Sequence, residues 1–591
     1  MTPDFLERPI DRQIAAFLCR GARDESGLLR TVVSLLSQAV GQGSVCLDLE
    51  EVAGAIVRVQ GGEEPLRLPL FEHLLTMLRS LPTLGKPGDH RPLILDAAGR
   101  LYLYRYFRYE TLLAQGIRDR AVTEIGSDED AALAVSLDRY FGPDETGGDH
   151  QRLAALRAIR QRFSVISGGP GTGKTTTVVR ILALLLEQPG GARFRIALAA
   201  PTGKAAARLA SSIASLRAAM PCTEEVKRSI PEQVTTIHRL LGTIPGSTGF
   251  RHNERSPLPY DVVIVDEASM VDLPLMTALV TALQPQAPLI LIGDRDQLAS
   301  VEAGAVLGDI CRAAETPGSA VDGCVTVLDR NYRFGDGSGI AALSRAVNAG
   351  DDCEALRLLT GQGNVDSIGL ESSPTRESMK MRLSGPVLDG FRAFLEARNP
   401  AEALLLFDRF RILCALREGP WGASGVNHAV EALLHEAGLI RTDSIFYRGR
   451  PVLVTENDYA HKLFNGDTGI ILPDPDSGML KAFFIGHDGS LRGIPPEFLP
   501  AHETAFAMTI HKSQGSEFDR VLMILPPEDK ALLTRELIYT GITRARHSVS
   551  LWSDGTLFSN TVGRRIERRS GLREMLVQDG GGAGLQGWLN A

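Results

Sequence analysis

The chain has 591 residues, of which 44% are hydrophobic and 23% charged, and its formal net charge is −8. This length is too great for one hydrophobic core and predicts about three or four domains of an ordinary soluble globular protein. No run of 18 or more apolar residues is present, which argues against a membrane span.

The seven cysteines form no C-x-x-C pair, which argues against a zinc module or a disulfide framework. The first residues show no secretory pattern, so we expect a cytoplasmic location.

The negative net charge bears on nucleic-acid binding. Proteins that bind nucleic acid by bulk electrostatics are usually basic. A nucleic-acid partner here would therefore require a local basic groove, or positive surface supplied by another subunit. The charge alone neither establishes nor excludes such a partner.

The first 145 residues carry no catalytic motif and show helical periodicity at 28–36 and 70–78. Aromatic residues alternate with arginines at 101–109. This stripe is compatible with base stacking, but packing in a small core is favoured because a lone aromatic stripe usually packs. A Gly- and Asp-rich stretch at 142–149 predicts a linker. We interpret the region as an accessory domain used for docking.

A glycine-rich loop between two apolar stretches carries the strongest functional signal. Residues 163–166 before the loop predict a buried strand, and residues 176–186 after it predict a buried helix. In this order, loop N–H groups and the helix N-terminus bind phosphates, Lys174 reaches the β- and γ-phosphates, and Thr175 ligates Mg²⁺. We therefore expect ATP and Mg²⁺ here, with Thr176 beside the nucleotide. The loop fits G-x-x-x-x-G-K-[ST] and consists of Gly168, Gly169, Pro170, Gly171, Thr172, Gly173, Lys174 and Thr175.

Two further predicted strands end in polar side chains. A β-branched run at 261–265 is followed by Asp266 and Glu267, and an apolar run at 289–292 is followed by Gln297. A carboxylate at the end of such a strand can hold Mg²⁺, and its neighbour can orient and deprotonate the attacking water. We assign Asp266 to the metal and Glu267 to the water. Gln297 is a candidate sensor of the γ-phosphate.

Other residues are ambiguous by themselves. Gln151 has the donor and the acceptor that adenine requires, yet it fits a helix start equally well. Thr202 and Lys204 follow a predicted strand at 195–200 and are compatible with a grip on a nucleic-acid phosphate, but a plain strand–turn–helix is the simpler interpretation. His238 is interpreted as structural, and the Gly-, Pro- and Ser-rich residues 243–259 predict a small hairpin.

The C-terminal half contains fewer motifs. Residues 361–384 are polar and weakly patterned, and they predict a loop. Residues 445–500 contain short strands between turn sequences, which is typical of a small barrel. Residues 564–569 are basic and predict a helix with a solvated face rather than a DNA contact.

Together with residues 505–519 and 535–546, these blocks resemble superfamily 1 DNA helicases, and within them most closely the RecD family, over residues 150–555. The resemblance implies two RecA-like domains with ATP in the cleft between them. It also implies that Gln151 reads adenine, that Glu517 lies near the ribose, and that Arg333 and Arg544 contact the γ-phosphate. The catalytic set it implies is Lys174, Asp266, Glu267, Gln297, Arg333 and Arg544, and the DNA-binding set is Thr202, Lys204, Thr509, His511 and Lys512.

The implied fold class is α/β, with two RecA-like P-loop domains, a small SH3-like β-barrel insert and a mostly helical N-terminal domain. We expect an accessory domain at 1–145, a first RecA-like domain at 146–345 with a hairpin insert near 243–259, and a second at 346–591 with the barrel near 445–500. We expect each cycle of domain closure to move a single DNA strand.

The resemblance also implies 5′ to 3′ movement and a heterotrimer with RecB-like and RecC-like subunits. We found no acid–acid–Lys nuclease constellation, so the nuclease is expected in a partner. A standalone helicase, a non-motor ATPase interaction subunit and an RNA motor are the alternatives.

Overall fold

The computed structural model describes residues 7–20, 27–57, 66–79, 81–121, 130–143, 149–333, 338–361, 367–458, 460–486 and 489–577. The predicted linker at 142–149 and the predicted loop at 361–384 lie partly outside these ranges, at 144–148 and 362–366.

Helices predominate in the N-terminal region, which we define as residues 7–143. Its elements are α1 (Pro9–Leu18), α2 (Leu28–Gly41), β1 (Cys46–Asp48), α3 (Leu49–Val52), β2 (Ile56–Val57), β3 (Leu66–Arg67), α4 (Phe71–Arg79), β4 (Leu84–Gly85), β5 (Leu93–Leu95), β6 (Arg100–Leu103), α5 (Tyr104–Ala121) and α6 (Asp130–Phe141). Strands β1, β6, β5 and β4 form a sheet in that order, which the sequence did not predict. The aromatic stripe spans β6 and α5, and Tyr102, Tyr106 and Phe107 are buried, which supports the packing interpretation.

The first lobe, residues 149–333, contains a six-stranded parallel sheet. Its elements are α7 (His150–Arg160), β7 (Phe163–Gly168), α8 (Lys174–Glu187), β8 (Ile196–Ala200), α9 (Gly203–Arg217), α10 (Glu224–Ser229), β9 (Val234–Thr236), α11 (Ile237–Leu241), β10 (Val262–Val265), α12 (Leu273–Ala282), β11 (Leu289–Gly293), α13 (Val306–Ala314) and β12 (Val325–Leu328). The strand order is β12-β7-β11-β10-β8-β9. Both faces of this sheet are covered, which explains why its strands read as continuous apolar runs. Because the strands are parallel, the ends of β7, β10 and β11 bring the glycine loop, the two carboxylates and the Gln297 loop to one edge.

The second lobe contains a five-stranded parallel sheet in the order β13-β22-β21-β14-β20. Within residues 338–577 the elements are α14 (Gly339–Ala349), α15 (Asp352–Leu359), β13 (Ile368–Glu371), α16 (Met379–Leu395), α17 (Pro400–Phe407), β14 (Phe410–Cys414), α18 (Ala423–Glu436), β15 (Pro451–Val454), β16 (Thr468–Pro473), β17 (Leu480–Ile485), β18 (Leu491–Ile494), β19 (His502–Thr504), β20 (Ala507–Thr509), β21 (Phe518–Ile524), α19 (Arg535–Ile542), β22 (Ala545–Trp552), α20 (Gly555–Gly563) and α21 (Leu572–Val577). The prediction of a loop at 361–384 is wrong where it covers β13 and the start of α16.

The insert, residues 451–504, interrupts the second lobe between α18 and β20. It is a five-stranded antiparallel sheet in the order β18-β17-β16-β15-β19. Its buried apolar residues, including Val452, Ile471 and Phe484, form a core of their own. The predicted short strands are therefore present.

The C-terminal tail, residues 564–577, runs from the second lobe to the first lobe and the N-terminal region. The prediction of a basic helix at 564–569 is wrong, because the helical segment here begins only at Leu572. Arg569 O accepts hydrogen bonds from Val45 N at 2.7 Å and from Cys46 N at 3.4 Å. Helix α21 then packs on α13 and α5, so the tail, the first lobe and the N-terminal region share one hydrophobic core.

Candidate active site and nucleic-acid groove

The glycine loop is shaped by close contacts as well as by backbone conformation. Gly171 and Gly173 have φ angles of 83° and 80°, which residues other than glycine rarely adopt. A Cβ atom on Gly173 would lie 2.3 Å from Gln151 Nε2, and one on Gly171 would lie 2.5 Å from the Cβ of Arg333. Lys174 Nζ donates to the Gly168 carbonyl at 2.5 Å and to the Gly169 carbonyl at 3.1 Å. The ammonium group is therefore held directly over the loop.

The two carboxylates lie just beyond the end of β10. Asp266 N donates to Ala199 O at 2.9 Å, and Glu267 N donates to Asp266 Oδ1 at 2.9 Å. Burial, together with the charge of Glu267, raises the pKa of Asp266 to about 6. Glu267 has a φ of 52° and, within the described ranges, shares a left-handed conformation among non-glycine residues only with Lys462. Such strain often marks a functional site.

Arg544 is an almost fully buried cation, with 2% of its surface exposed. Its guanidinium donates to Thr540 O at 3.1 Å, to Ser516 O at 3.3 Å and to Thr543 Oγ1 at 3.4 Å. Burial lowers its pKa. These partners are neutral oxygens, so the site concentrates positive charge that an anionic ligand would offset.

Glu517 joins arginines from different parts of the chain. Its Oε1 atom accepts from Arg333 Nη2 at 2.6 Å and from Arg208 of α9, while its Oε2 atom accepts from Arg546 at 3.3 Å. Burial and the charges of Arg208, Arg544 and Arg546 lower the pKa of Arg333 to about 10. Glu517 thus links the two lobes in this structure.

These groups surround a single cavity of about 330 Å³ between the lobes. Arg208 and Tyr332 also line it, and sequence reasoning missed both. Tyr332, with 55% of its surface exposed, lies within an Arg-Asn-Tyr-Arg block whose aromatic residue was the available signal. The predicted residues that line the cavity are Pro170, Gly171, Gly173, Lys174, Thr175, Thr176, Asp266, Glu267, Gln297, Arg333, Glu517 and Arg544.

Four predicted nucleotide-binding residues lie beside this cavity rather than in its lining. Gly168, Gly169 and Thr172 line an adjoining cavity of about 190 Å³ on the other side of the loop. Gln151 is buried, and its Nε2 atom donates to Thr172 O at 2.9 Å while its Oε1 atom accepts from Arg180 at 3.2 Å. In this structure Gln151 therefore supports the loop backbone.

A second groove, of about 660 Å³, runs between the first lobe, the tip of the insert and the second lobe. Four of the predicted DNA-binding residues line it: Thr202, Lys204, His511 and Lys512. Thr509 does not line the groove; it is buried, and its Oγ1 atom accepts from Lys512 N at 3.3 Å. Sequence reasoning missed several lining residues, including His238, Arg239, Asn457, Phe464 and Gln514.

Another cavity, of about 740 Å³, lies between α18 and the base of the insert. Its lining includes four carboxylates, of Glu418, Glu431, Asp443 and Glu503, against the cations of Arg417 and Arg450. This balance of charge does not favour a polyanion, so the size of the cavity does not decide the site.

Three family descriptions match parts of this chain. The family description "AAA domain" matches residues 151–303, "UvrD-like helicase C-terminal domain" matches 504–552, and "RecBCD enzyme subunit RecD, N-terminal domain" matches 6–102. The chain is 40% identical to RecBCD enzyme subunit RecD of Mycobacterium tuberculosis over 583 residues, covering 97% of this chain and 95% of that protein. The chain belongs to the RecD family.

Other relatives extend the comparison. The RecD subunit of Mycolicibacterium smegmatis is 39% identical over 96% of this chain and 97% of its own length. An ATP-dependent RecD2 DNA helicase of Deinococcus radiodurans is 31% identical over 80% of this chain but 58% of its own length. A solved structure of Pif1 helicase from Bacteroides, with ADP-AlF3 and ssDNA, aligns with 71% of this chain and 94% of its own at 16% identity and a TM-score of 0.37.

As a member of the RecD family with an AAA domain in its first half and a UvrD-like helicase C-terminal domain in its second, the protein is an ATP-dependent helicase. The resemblance drawn from the ordered sequence blocks is thereby confirmed. Within the described ranges, no helix combines the length and hydrophobicity needed to cross a membrane.

Proposed function

We propose that this RecD-family helicase hydrolyses ATP in the cavity between its lobes and thereby moves along a single DNA strand held in the second groove. The observation that carries the proposal is the common lining of one 330 Å³ cavity by Lys174 and Glu267 of the first lobe and Arg544 of the second. Charge that develops on the transferred phosphoryl group requires cations from both sides. Hydrolysis would then depend on closure of the lobes.

Each group in the cavity has a definite role in this proposal. Lys174 binds the β- and γ-phosphates, and Glu267 orients the attacking water and accepts its proton. Thr175 and Asp266 line the same cavity and provide a hydroxyl and a carboxylate, the hard oxygen donors that suit Mg²⁺. When bound, Mg²⁺ neutralises charge on the phosphate oxygens. Gln297 senses the γ-phosphate, and Arg333 and Arg544 stabilise the charge of the transition state.

The nucleoside end of the ligand is supported by fewer contacts. The half-exposed ring of Tyr332 lies at the cavity and offers a face for adenine. To read adenine, Gln151 would exchange its bond to Thr172 O for the base, and to contact the ribose, Glu517 would release an arginine. Both roles stay predictions.

The second groove suits a single nucleic-acid strand. Lys204, Arg239 and Lys512 provide cations for phosphates, Thr202 caps α9 at the groove, and Phe464 provides an aromatic face for a base. Thr509 contributes by holding the backbone of Lys512. We propose DNA rather than RNA as the strand, and 5′ to 3′ as the direction of movement.

We further propose that the helicase is the motor of a cytoplasmic RecBCD-type complex, with RecB-like and RecC-like partners and the nuclease in another subunit. The full-length likeness to RecD subunits supports this. The N-terminal region would dock the partners, and the insert would be an SH3-like barrel. A standalone helicase is the second candidate, and the likeness to a RecD2 helicase favours it. Co-purification of the native chain with two other subunits supports the complex; a monomer that unwinds DNA alone supports the other candidate.

The test of the motor is the variant Lys174→Gln. Removing the ammonium group should abolish DNA-stimulated ATP hydrolysis while leaving oligonucleotide binding unchanged, because the lysine lines the nucleotide cavity and not the groove. Hydrolysis at the wild-type rate would show that the glycine loop is not the ATP site. Strand displacement with 5′-tailed and 3′-tailed duplexes then reports the direction.

A further inference from the structure

Leu298 follows Gln297 in the first lobe by sequence, but it belongs to the second lobe by contact. Its side chain is 3% exposed and packs in the hydrophobic core of the second lobe, together with Leu343 and Met508. Both of its backbone polar groups also bind the second lobe. Leu298 N donates to Thr540 Oγ1 at 2.9 Å, and Leu298 O accepts from Gln514 Nε2 at 2.9 Å.

The side chain of Gln297 reaches the second lobe indirectly, through Asp294 of its own lobe. Gln297 Nε2 donates to Asp294 Oδ2 at 3.0 Å, and the same oxygen accepts from Tyr539 OH at 3.0 Å. Asp294 is 2% exposed, so these bonds lie in a dry environment where they hold geometry firmly. Gln297 is thus held on one side by Leu298, which binds the second lobe, and on the other by Asp294 of its own lobe, which Tyr539 of the second lobe also contacts.

Thr540 connects this arrangement to the arginine. Its hydroxyl accepts from Leu298 N, and its carbonyl accepts from Arg544 Nε at 3.1 Å. Thr540 itself is fully buried and lies outside the lining of the nucleotide cavity. One residue therefore sets the distance between Leu298, next to the candidate γ-phosphate sensor, and Arg544, the candidate arginine finger.

We propose that Thr540 is a positioning residue that aligns Gln297 with Arg544 across the cleft, and that Gln514 links this alignment to the strand groove. Gln514 lines the groove and donates a hydrogen bond to Leu298 O. Leu298 is the residue next to Gln297, so it connects a strand in the groove with the candidate γ-phosphate sensor in the cavity. This role rests on the proposed function. The contacts of Leu298 with Thr540 and Gln514 would explain how a strand bound in the groove stimulates ATP hydrolysis, with motion of the two lobes as the only conformational change required.

The test uses Thr540→Val, which keeps the side-chain shape and removes the hydroxyl. Leu298 N then loses its buried acceptor, and we expect kcat for DNA-stimulated hydrolysis to fall about tenfold with KM for ATP unchanged. Thr540→Ser restores the hydroxyl and should restore kcat. Thr561→Val is the matched control, since Thr561 is also fully buried but donates to Leu557 O within α20. It should keep the wild-type kcat.

Gln514→Leu tests the same linkage from the groove side, and it serves if Thr540→Val does not fold. Its maximal stimulation, measured at saturating oligo(dT), should fall below that of the wild type. Wild-type kcat in Thr540→Val, equal losses in Thr540→Val and Thr561→Val, or unchanged maximal stimulation in Gln514→Leu would each overturn the positioning role. Retained hydrolysis in Lys174→Gln would instead overturn the proposed function itself.

Discussion

At the scale of single residues, the two arginines of the cleft are held in different ways. Arg333 is bound to the carboxylate of Glu517, so it must leave an ion pair before it can contact a phosphate. Arg544 is bound by neutral oxygens and is already buried in place. An arginine finger acts on the transition state more than on the ground state, so both should affect turnover more than binding.

We therefore expect Arg333→Ala and Arg544→Ala to bind a fluorescent ATP analogue with near wild-type affinity and to lose turnover by about 10³. Steady-state hydrolysis with oligo(dT), beside equilibrium titration of the analogue, measures the two effects separately. Arg546→Ala is the matched control, because Arg546 also contacts Glu517 but does not line the cavity. If Arg333→Ala and Arg544→Ala both turn over ATP as fast as Arg546→Ala, neither arginine takes part in the reaction.

The site residues that could be predicted from the sequence are marked by a pattern in neighbouring residues, and those that were missed are not. Lys174, Asp266 and Gln297 each lie within a few residues after the end of an apolar strand, so the strand and the polar group are read together. Arg208 and Thr540 become functional candidates only through contacts that cross between lobes, and no local spacing encodes such contacts.

At the scale of elements, the same reasoning explains the errors in the fold. The strands of the N-terminal sheet have two to four residues each, too few to show an alternating pattern. Helix α16 contains Pro386, which argues against a helix in the sequence although the helix continues through it. The basic residues 564–569 have helical composition, but Arg568 instead donates to the carbonyls of Glu302 and Gly304 in the first lobe.

A buried carboxylate on α5 is among the groups that bind the tail. Both Glu110 oxygens accept from Gly571 N, at 3.1 and 3.0 Å, and Oε1 also accepts from Ser570 Oγ at 2.6 Å. Burial raises the pKa of Glu110 from an ordinary 4.5 to about 7, and the charge of nearby Asp309 acts in the same direction while Arg100 opposes it. The hydrogen bonds from Ser570 and Gly571 lower this pKa, but burial outweighs them, so the folded chain favours the protonated acid.

Because the pKa of Glu110 is raised in the folded chain, the stability that this carboxyl contributes is complete below about pH 4.5 and is lost as the pH rises through 7, by about 3 kcal/mol in all. We expect hydrogen exchange of the amides in α21, corrected for the intrinsic pH dependence, to accelerate from pH 5 to pH 8 in the full chain. Glu110→Gln should flatten this dependence. An equal acceleration in the variant would assign the effect to another group, of which buried Asp309 is the nearest candidate.

At the scale of the whole molecule, charge is distributed so that an acidic protein can still bind a polyanion. The net charge is −8, yet the cations in the lining of the groove are Lys204, Arg239 and Lys512. Burial lowers the pKa values of His238 and His511, so neither adds a positive charge at neutral pH. Electrostatic attraction of the DNA strand should therefore be confined to the groove and involve few charges.

Counterion release makes this distribution measurable. Each phosphate neutralised on a single strand contributes about 0.7 to the slope of log K against log salt, so three cations predict a slope of about −2. Lys204→Gln should reduce the magnitude of the slope by about 0.7, whereas Lys512→Gln should reduce it less, because Lys512 is already paired with Glu503 at 2.7 Å. Fluorescence anisotropy of labelled oligo(dT) across a KCl series measures these slopes, with Lys86→Gln on the N-terminal region as the control. If the slope is steep and Lys204→Gln leaves it unchanged, the strand binds to a surface outside this groove.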